Sequence, residues 1–290
     1  LEMYGLLFTG PKTIIHNIRK CVENAGLIVN EMVITPLALT ESILSDGEKD
    51  FGTIVIDMGG GQTTTAVMHD KQLKFTNLDQ EGGEFVTKDI SIVLNTSFNN
   101  AEALKINYGD AYPERTSPDE EFPVDVIGQS EPVKVDERYL SEIISARMEQ
   151  IFNKAKDALD QIEALELPGG VVLTGGAASL PGVVDLAQEI FGVNVKLYVP
   201  NHMGLRNPVF TNVISIVDYS ANLSEVYQLA KIAVTGETSA ARQMVVEQET
   251  TNTYESYEAP EETIYDEPEP KESGENVKNK IKGFFTNIFD

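Results

Sequence analysis

The hydrophobic and polar positions of the chain follow two different periods, which predict strands alternating with helices. Residues Thr53–Ile56 form a continuous apolar, β-prone run, typical of a strand buried on both faces. The segment at about 136–162 instead has helical spacing, with apolar residues at Leu140, Ile143, Ile144, Met148, Ile151 and Phe152. Further strands are predicted at 2–9, 27–33, 63–68, 73–76, 124–126, 171–173 and 193–199. Further helices are predicted at 11–25, 36–44, 83–95, 99–108, 180–191, 208–219 and 223–234. The pattern predicts an α/β fold.

Beyond this body the composition changes abruptly. Residues 237–276 contain 12 acidic and 2 basic residues, several prolines and few large aliphatic side chains. Such a segment buries too little apolar surface to offset the entropy lost on ordering. We therefore expect a disordered acidic linker here.

The last fourteen residues, 277–290, carry one apolar helical stripe with a basic flank. The stripe and its lysines consist of Val277, Lys278, Lys280, Ile281, Lys282, Phe284, Phe285, Ile288 and Phe289. A helix of this length, roughly 20 Å, is too short to span a bilayer. It would lie in the membrane interface with its Phe side chains buried, helped by anionic lipid. The alternative is a helix that docks on the protein's own body; the long linker favours the membrane.

Composition and charge restrict the possible partners, membrane topology and redox compartment. The formal net charge of −24 argues against nucleic acid as a partner, because a phosphate backbone requires a basic surface. No apolar run approaches the roughly 20 residues that a spanning helix needs. The single cysteine, Cys21, cannot form an internal disulfide, which fits a reducing compartment, and is interpreted as a small buried hydrophobe.

A glycine-rich turn joins the first two strands of the predicted meander. Three consecutive glycines let a backbone approach a ligand closely and direct its N–H groups at phosphate oxygens. A carboxylate at the strand end can hold Mg²⁺ through water or orient an attacking water. The alternative is a tight hairpin capped by its aspartate, but a hairpin needs only one or two glycines. The predicted phosphate site comprises Asp57, Gly59, Gly60, Gly61, Gln62 and Thr63.

Two further motifs are weaker when taken alone. Gly175, Gly176 and Ala177 follow a buried strand and precede a helix, where a flat base could lie against the backbone; an ordinary βα turn is the alternative. Glu102 and Lys105 lie three residues apart on one helix face, where they could bind ribose hydroxyls, or form a solvated ion pair.

Together, and in this order, the three motifs resemble the actin, Hsp70 and sugar-kinase superfamily, and within it most closely the bacterial cell-division FtsA family over essentially the whole chain. The resemblance implies an actin-like ATPase domain with a ribonuclease-H-like core, ATP and Mg²⁺ as ligands, and at most weak ATPase activity. It also implies that Gly82 and Gly83 open an inserted subdomain and line the nucleotide site. No first phosphate motif precedes Asp57, so we expect the N-terminal lobe to be absent and ATP binding to be poor.

The resemblance divides the chain into six parts, which are the end of the N-terminal lobe, subdomain 2A, subdomain 2B, the return of 2A, the linker and the membrane helix. Their predicted bounds are 1–35, 36–80, 81–165, 166–236, 237–276 and 277–290.

The resemblance also implies partners. FtsA-like proteins self-associate and bind the acidic C-terminal peptide of the tubulin-like protein FtsZ on subdomain 2B. Arg138 and Arg147 on the long helix could pair with its carboxylates, although a solvated helix face is the alternative. The implied function is an ATP-dependent scaffold, peripheral on the cytoplasmic face of the membrane, that tethers FtsZ filaments at the division septum. The alternatives are a PilM-like pilus-assembly protein, or a sugar kinase or chaperone ATPase.

Overall fold

The computed structural model describes residues 7–29 and 31–223, together with residues 227 and 229. The predicted linker at 237–276, the predicted membrane helix at 277–290 and all but a few residues of the helix predicted at 223–234 lie outside these described residues.

The body is a mixed five-stranded sheet with helices on both faces, in the strand order β3-β2-β1-β6-β7. β1 pairs antiparallel with β2, and β2 with β3, whereas β6 and β7 run parallel to β1. A separate hairpin is formed by β4 and β5. The strands are β1 (Thr53–Met58), β2 (Thr63–His69), β3 (Gln72–Asp79), β4 (Glu121–Val124), β5 (Val133–Asp136), β6 (Val171–Thr174) and β7 (Val195–Leu197).

The helices account for most of the remaining described residues. They are α1 (Lys12–Asn24), α2 (Thr35–Ile43), α3 (Asp46–Phe51), α4 (Gly83–Val93), α5 (Phe98–Tyr108), α6 (Glu137–Asp160), α7 (Val183–Phe191) and α8 (Thr211–Ala221). Short 3₁₀ turns lie at Pro113–Arg115, Ala164–Glu166, Ala177–Ser179 and Pro208–Phe210.

Both faces of β1 are buried, as its apolar run predicts. Ile54 and Ile56 belong to the larger core, which includes residues of α4, α6 and α7. Val55, which points the other way, packs in a smaller core with Leu44, after α2. Alternate side chains of a strand point to opposite faces, so a strand covered on both sides needs apolar residues at every position.

Five expectations differ from the structure. Cys21, interpreted as a buried hydrophobe, is exposed on α1. The described residues of the strand predicted at 2–9, residues 7–9, are not in a strand. The described residues of 27–33 are not in a strand; Leu27 and Ile28 are largely exposed, so the apolar composition there does not reflect pairing within the sheet. The helix α3 was not expected, because its sequence is polar and contains a glycine. It begins with a capping box, in which the Ser45 hydroxyl accepts from the backbone N–H of Glu48 and the Glu48 carboxylate accepts from that of Ser45. The strand predicted at 124–126 is instead β4, ending at Val124.

Candidate functional site

The glycine-rich turn between β1 and β2 supports the first turn of α4. The turn is closed by a hydrogen bond from Gly59 N to Gln62 O, 2.9 Å. Gly83 N then donates to Gly59 O at 2.9 Å, and Glu84 N donates to Gly60 O at 2.8 Å. A Cβ on Gly82 would lie 2.5 Å from both of those carbonyl oxygens, so only glycine permits this approach. The turn and α4 are thus built as one unit.

On α5, Glu102 and Lys105 form a close ion pair. Lys105 Nζ lies 2.7 Å from Glu102 Oε2, 2.7 Å from Thr87 Oγ1 and 3.0 Å from Gly83 O. Burial raises the pKa of Glu102, but the hydrogen bonds from Lys105 and Thr87 outweigh it and leave the pKa below its ordinary value. Glu102 is therefore ionised at neutral pH and acts as a hydrogen-bond acceptor.

These elements surround a cavity of about 610 Å³. Residues from all three predicted motifs meet in its wall, although the first and the last of them, Gly60 and Gly176, are 116 positions apart in sequence. Apolar side chains form one part of the wall, and polar groups from α5 and the glycine turn form another. The lining residues are Gly60, Gly83, Glu84, Val86, Phe98, Glu102, Lys105, Ile106, Met148, Gly176, Ala177, Ser179, Leu180, Pro181, Asn207 and Val209.

Several predicted site residues do not line this cavity. The residues that do not belong to the described lining are Asp57, Gly59, Gly61, Gln62, Thr63, Gly82 and Gly175. Thr63 donates its hydroxyl to Glu81 O, 2.8 Å, and so fixes the chain leading into Gly82. Gly175, with φ at +93°, lies directly against Asp57 and Met58. These residues shape the cleft; whether any of them contacts a ligand stays a prediction.

Asp57 lies at the end of β1 and is 7% exposed. Asn212 Nδ2, from α8, donates to its Oδ2 at 2.9 Å. Its other oxygen, Oδ1, has no hydrogen-bond partner in the described part of the chain. Burial raises the pKa of Asp57, and the hydrogen bond from Asn212 opposes this only in part. This oxygen is itself buried, so its hydrogen-bonding capacity is unused.

Sequence reasoning missed three groups of the site. Thr87 is a buried hydroxyl within α4, Asn212 comes from α8, and Val209 comes from the turn before that helix. Neither Asn212 nor Val209 lies near a glycine motif in the sequence. Thr87 follows Gly83 by one helical turn, and that spacing is the signal that could have drawn attention to it.

The two arginines predicted to contact a partner differ in their surroundings. Arg147 is 18% exposed and is bidentate to Asp89, with Nε–Oδ2 at 2.6 Å and Nη2–Oδ1 at 3.1 Å. Its Nη1 also lies 3.3 Å from Glu81 Oε2. Arg138 is 48% exposed, and its one ion-pair contact in the described residues is a long one, 3.7 Å from Nε to Glu142 Oε1. The guanidinium of Arg147 is thus held inside the protein, while that of Arg138 is open to solvent.

Comparison with known proteins identifies the family. The family model described as "Cell division protein FtsA" matches residues 54–215, and the model of the FtsA C-terminal region matches residues 226–290. The chain belongs to the FtsA family. It is 89% identical over its whole length to the FtsA of Enterococcus hirae and spans 66% of that protein's length. Membership in the FtsA family favours a division protein over the sugar-kinase and pilus-assembly alternatives.

Solved structures show that this FtsA-family chain has an actin-like fold. The MreB5 protein of Spiroplasma citri bound to ADP superposes with a TM-score of 0.58 at 16% identity, covering 73% of this chain and 66% of that one. The PilM–PilN type IV pilus biogenesis complex gives a TM-score of 0.56 at 15% identity, covering 72% and 58%. At these identities the likeness concerns the fold alone.

Two features are absent from the described part of this FtsA-family chain. No helix there is long and apolar enough to cross a membrane. No group of three or more His, Cys, Asp or Glu side chains in the same residues is arranged to hold a metal ion.

Proposed function

We propose that the chain is the nucleotide-binding part of an actin-like division scaffold, and that the cleft between α4, α5 and the turn after β6 takes ATP with Mg²⁺. One observation carries the proposal. The glycine turn, the Glu102–Lys105 pair and Gly176 after β6 meet around one cavity of about 610 Å³. A well-formed pocket with a few convergent polar groups is the arrangement expected of a ligand site.

The chemistry of the wall fits a nucleotide. Gly60 and Gly83 present backbone without side chains to the cavity, so a ligand can approach the chain closely there. Ionised Glu102 accepts hydrogen bonds, as the hydroxyls of a ribose require. Gly176 and Ala177 offer a flat, apolar surface for a base.

Magnesium fits the same arrangement in a limited way. The described residues offer no all-protein cage, and Mg²⁺ is usually held by one or two carboxylates, waters and the phosphates of its substrate. Asp57, at the end of β1 beside the glycine turn, is the carboxylate that would hold the ion through water; the water would have to enter beside its buried oxygen Oδ1. The ion would neutralise phosphate charge in the cleft.

The wider role in division is proposed from family membership and from the sequence. We propose that residues 277–290 anchor the protein to the cytoplasmic face of the membrane, through the apolar stripe and its three lysines. We further propose that the subdomain predicted at 81–165 binds the acidic C-terminal peptide of FtsZ, so that filaments are tethered at the septum. The more exposed Arg138 is the better placed of the two arginines for this contact.

Replacing Glu102 with alanine should weaken ATP binding about tenfold, because a hydrogen bond to a charged group contributes roughly 1.5–3 kcal/mol. The sequence contains only one of the two phosphate motifs, so binding is expected to be weak and is best measured by NMR titration. The matched control is Glu142→Ala, which removes an exposed carboxylate from α6 and should leave the affinity unchanged. A folded chain that does not bind ATP, or equal losses in both variants, would contradict the nucleotide proposal.

Deleting residues 277–290 should reduce co-sedimentation with vesicles of phosphatidylglycerol and phosphatidylethanolamine about tenfold or more, because the apolar stripe and the lysines are removed together. A deletion of the same length within the acidic segment, residues 255–268, is the control and should retain binding. Equal vesicle binding by all three proteins would refute the anchor.

A further inference from the structure

We propose that Thr87 is a positioning residue of the nucleotide site, whose hydroxyl, together with the Lys105 ammonium, holds Glu102 so that the second oxygen of its carboxylate accepts a hydrogen bond from the sugar of the nucleotide. This inference rests on the proposed function, since it assumes that the cleft takes a nucleotide. It assigns different roles to Glu102 and Lys105, which the sequence analysis predicted as two ligands of the same kind. Glu102 contacts the sugar, and Lys105 acts through Glu102.

The hydrogen bonds of Lys105 lead to this assignment. An ammonium group has three protons to donate and no acceptor. Lys105 Nζ has three acceptors within the protein, namely Gly83 O at 3.0 Å, Thr87 Oγ1 at 2.7 Å and Glu102 Oε2 at 2.7 Å. Its side chain is only 13% exposed. A ligand could therefore take a hydrogen bond from Lys105 only by displacing one of these partners.

Thr87 completes the arrangement from the buried side. It is fully buried, and its hydroxyl contacts both the ammonium of Lys105 and the carboxylate of Glu102. Since Lys105 donates to Oγ1, the single hydroxyl proton is free to go to Glu102 Oε2 or to Gly83 O, and the ionised carboxylate is the stronger acceptor of the two. Thr87 thus joins the cation to the anion in a protected position.

The carboxylate of Glu102 is left with one oxygen for a ligand. In the part of the chain that the structure describes, both of its hydrogen bonds fall on Oε2. The Glu102 side chain is 39% exposed and lines the cavity. A carboxylate oxygen accepts hydrogen bonds only, so the matching ligand group is a donor such as a sugar hydroxyl.

The same cluster connects the sugar side of the cleft to the glycine turn. Gly83 accepts from Lys105 through its carbonyl and donates through its N–H to Gly59 O, at 2.9 Å. One residue therefore fixes the position of Glu102 relative to the turn proposed to hold phosphates. Loss of the Thr87 hydroxyl would loosen the carboxylate without touching the apolar wall.

The test compares ATP with 2′,3′-dideoxy-ATP, which lacks both sugar hydroxyls, on the 290-residue chain and its variants. Wild type should bind ATP about fivefold to tenfold more tightly than the dideoxy compound. Thr87→Val, which exchanges the hydroxyl for a methyl of similar size, should lower ATP affinity about fivefold and bring the ratio of the two affinities close to one. Thr87→Ser, which restores a hydroxyl, should recover the preference for ATP.

Each alternative outcome is decisive. Equal weakening of both nucleotides by Thr87→Val would mean that the residue serves the fold alone, and would overturn the inference. A wild-type chain that binds both nucleotides equally would overturn it too, while leaving the nucleotide proposal intact; a folded chain that binds neither would refute both. If circular dichroism shows that Thr87→Val is unfolded, Lys105→Met on α5 provides the same test and should lose the same preference.

Discussion

Replacing Gly175 with alanine should lower the free energy of unfolding by about 3 kcal/mol or more, because two separate penalties coincide at this position. Its φ of +93° is unfavourable for any residue with a Cβ. The added methyl would also lie 2.5 Å from Met58 O and 2.6 Å from Asp57 Oδ1, far inside normal contact distances. Neither neighbour can move freely, since both belong to β1 in the centre of the sheet.

Substitutions at two other glycines allow the penalty of the positive φ and the steric penalty to be measured separately. Gly128 has nearly the same φ, +86°, but open space around its Cβ position, so Gly128→Ala should cost only about 1–2 kcal/mol. Gly61 has open space and no positive φ, so Gly61→Ala should be close to neutral. Urea unfolding followed by circular dichroism gives the three values. If Gly175→Ala costs no more than Gly128→Ala, the steric argument is wrong.

The expected result would give Gly175 a structural role besides the ligand contact that its motif predicts. Its contact with a bound base stays a prediction; the structure shows it packed against Asp57, where β1 and β6 run parallel and their carboxyl ends meet. Gly176, the next residue, is the one that lines the cavity. A glycine motif thus predicts close approach reliably, yet does not say whether the approaching group is a ligand or a neighbouring strand.

The elements that sequence predicts well are those with a strong hydrophobic period. The continuous run at Thr53–Ile56 became the central strand β1, and the apolar stripe of 136–162 became α6, of which Leu140, Ile144 and Phe152 are fully buried. The helix α3 was missed because its polar sequence is held by the capping box at Ser45, a local device without hydrophobic signal. Weak, short patterns leave the outcome to tertiary context.

The residues of the candidate site differ in the same way: those with a local pattern can be predicted from sequence, and those that depend on tertiary contacts cannot. The glycine turn and the Glu102–Lys105 pair could be singled out because each is local, one by composition and the other by helical spacing. Asn212 could not, because its importance comes from a contact with a residue 155 positions away. Thr87 offers only its helical spacing from Gly83, and its contact with Glu102 appears only in the folded chain. The shared cavity wall likewise appears only when the chain is folded.

Arg147→Met should lower the free energy of unfolding by about 2 kcal/mol, because it leaves the carboxylate of Asp89 without its cation. Glu81 loses its contact with Arg147 but keeps Lys154, at 2.7 Å. The hydrogen bonds with Asp89 raise the pKa of Arg147, so the guanidinium is charged and the ion pair is complete under ordinary conditions. Methionine keeps much of the side-chain volume beside Phe85, over whose ring the guanidinium lies at 5.8 Å. Thermal or urea unfolding measures the loss.

The matched control for Arg147→Met is Arg138→Met on the same helix, where the exposed 3.7 Å contact with Glu142 should contribute under about 0.5 kcal/mol. Adding Asp89→Asn to Arg147→Met should recover part of the loss, because one unpaired carboxylate is then neutral. A loss from Arg147→Met no greater than that from Arg138→Met would mean that solvent already screens the cluster.

The same two variants distinguish partner binding from stability. An acidic peptide can reach Arg138 directly, but it can pair with Arg147 only by displacing Asp89. If Arg138→Met weakens binding of the FtsZ peptide while stability is unchanged, the contact lies on the exposed face of α6. If only Arg147→Met weakens binding, and in proportion to its loss of stability, the arginine supports the fold of the surface rather than the contact itself.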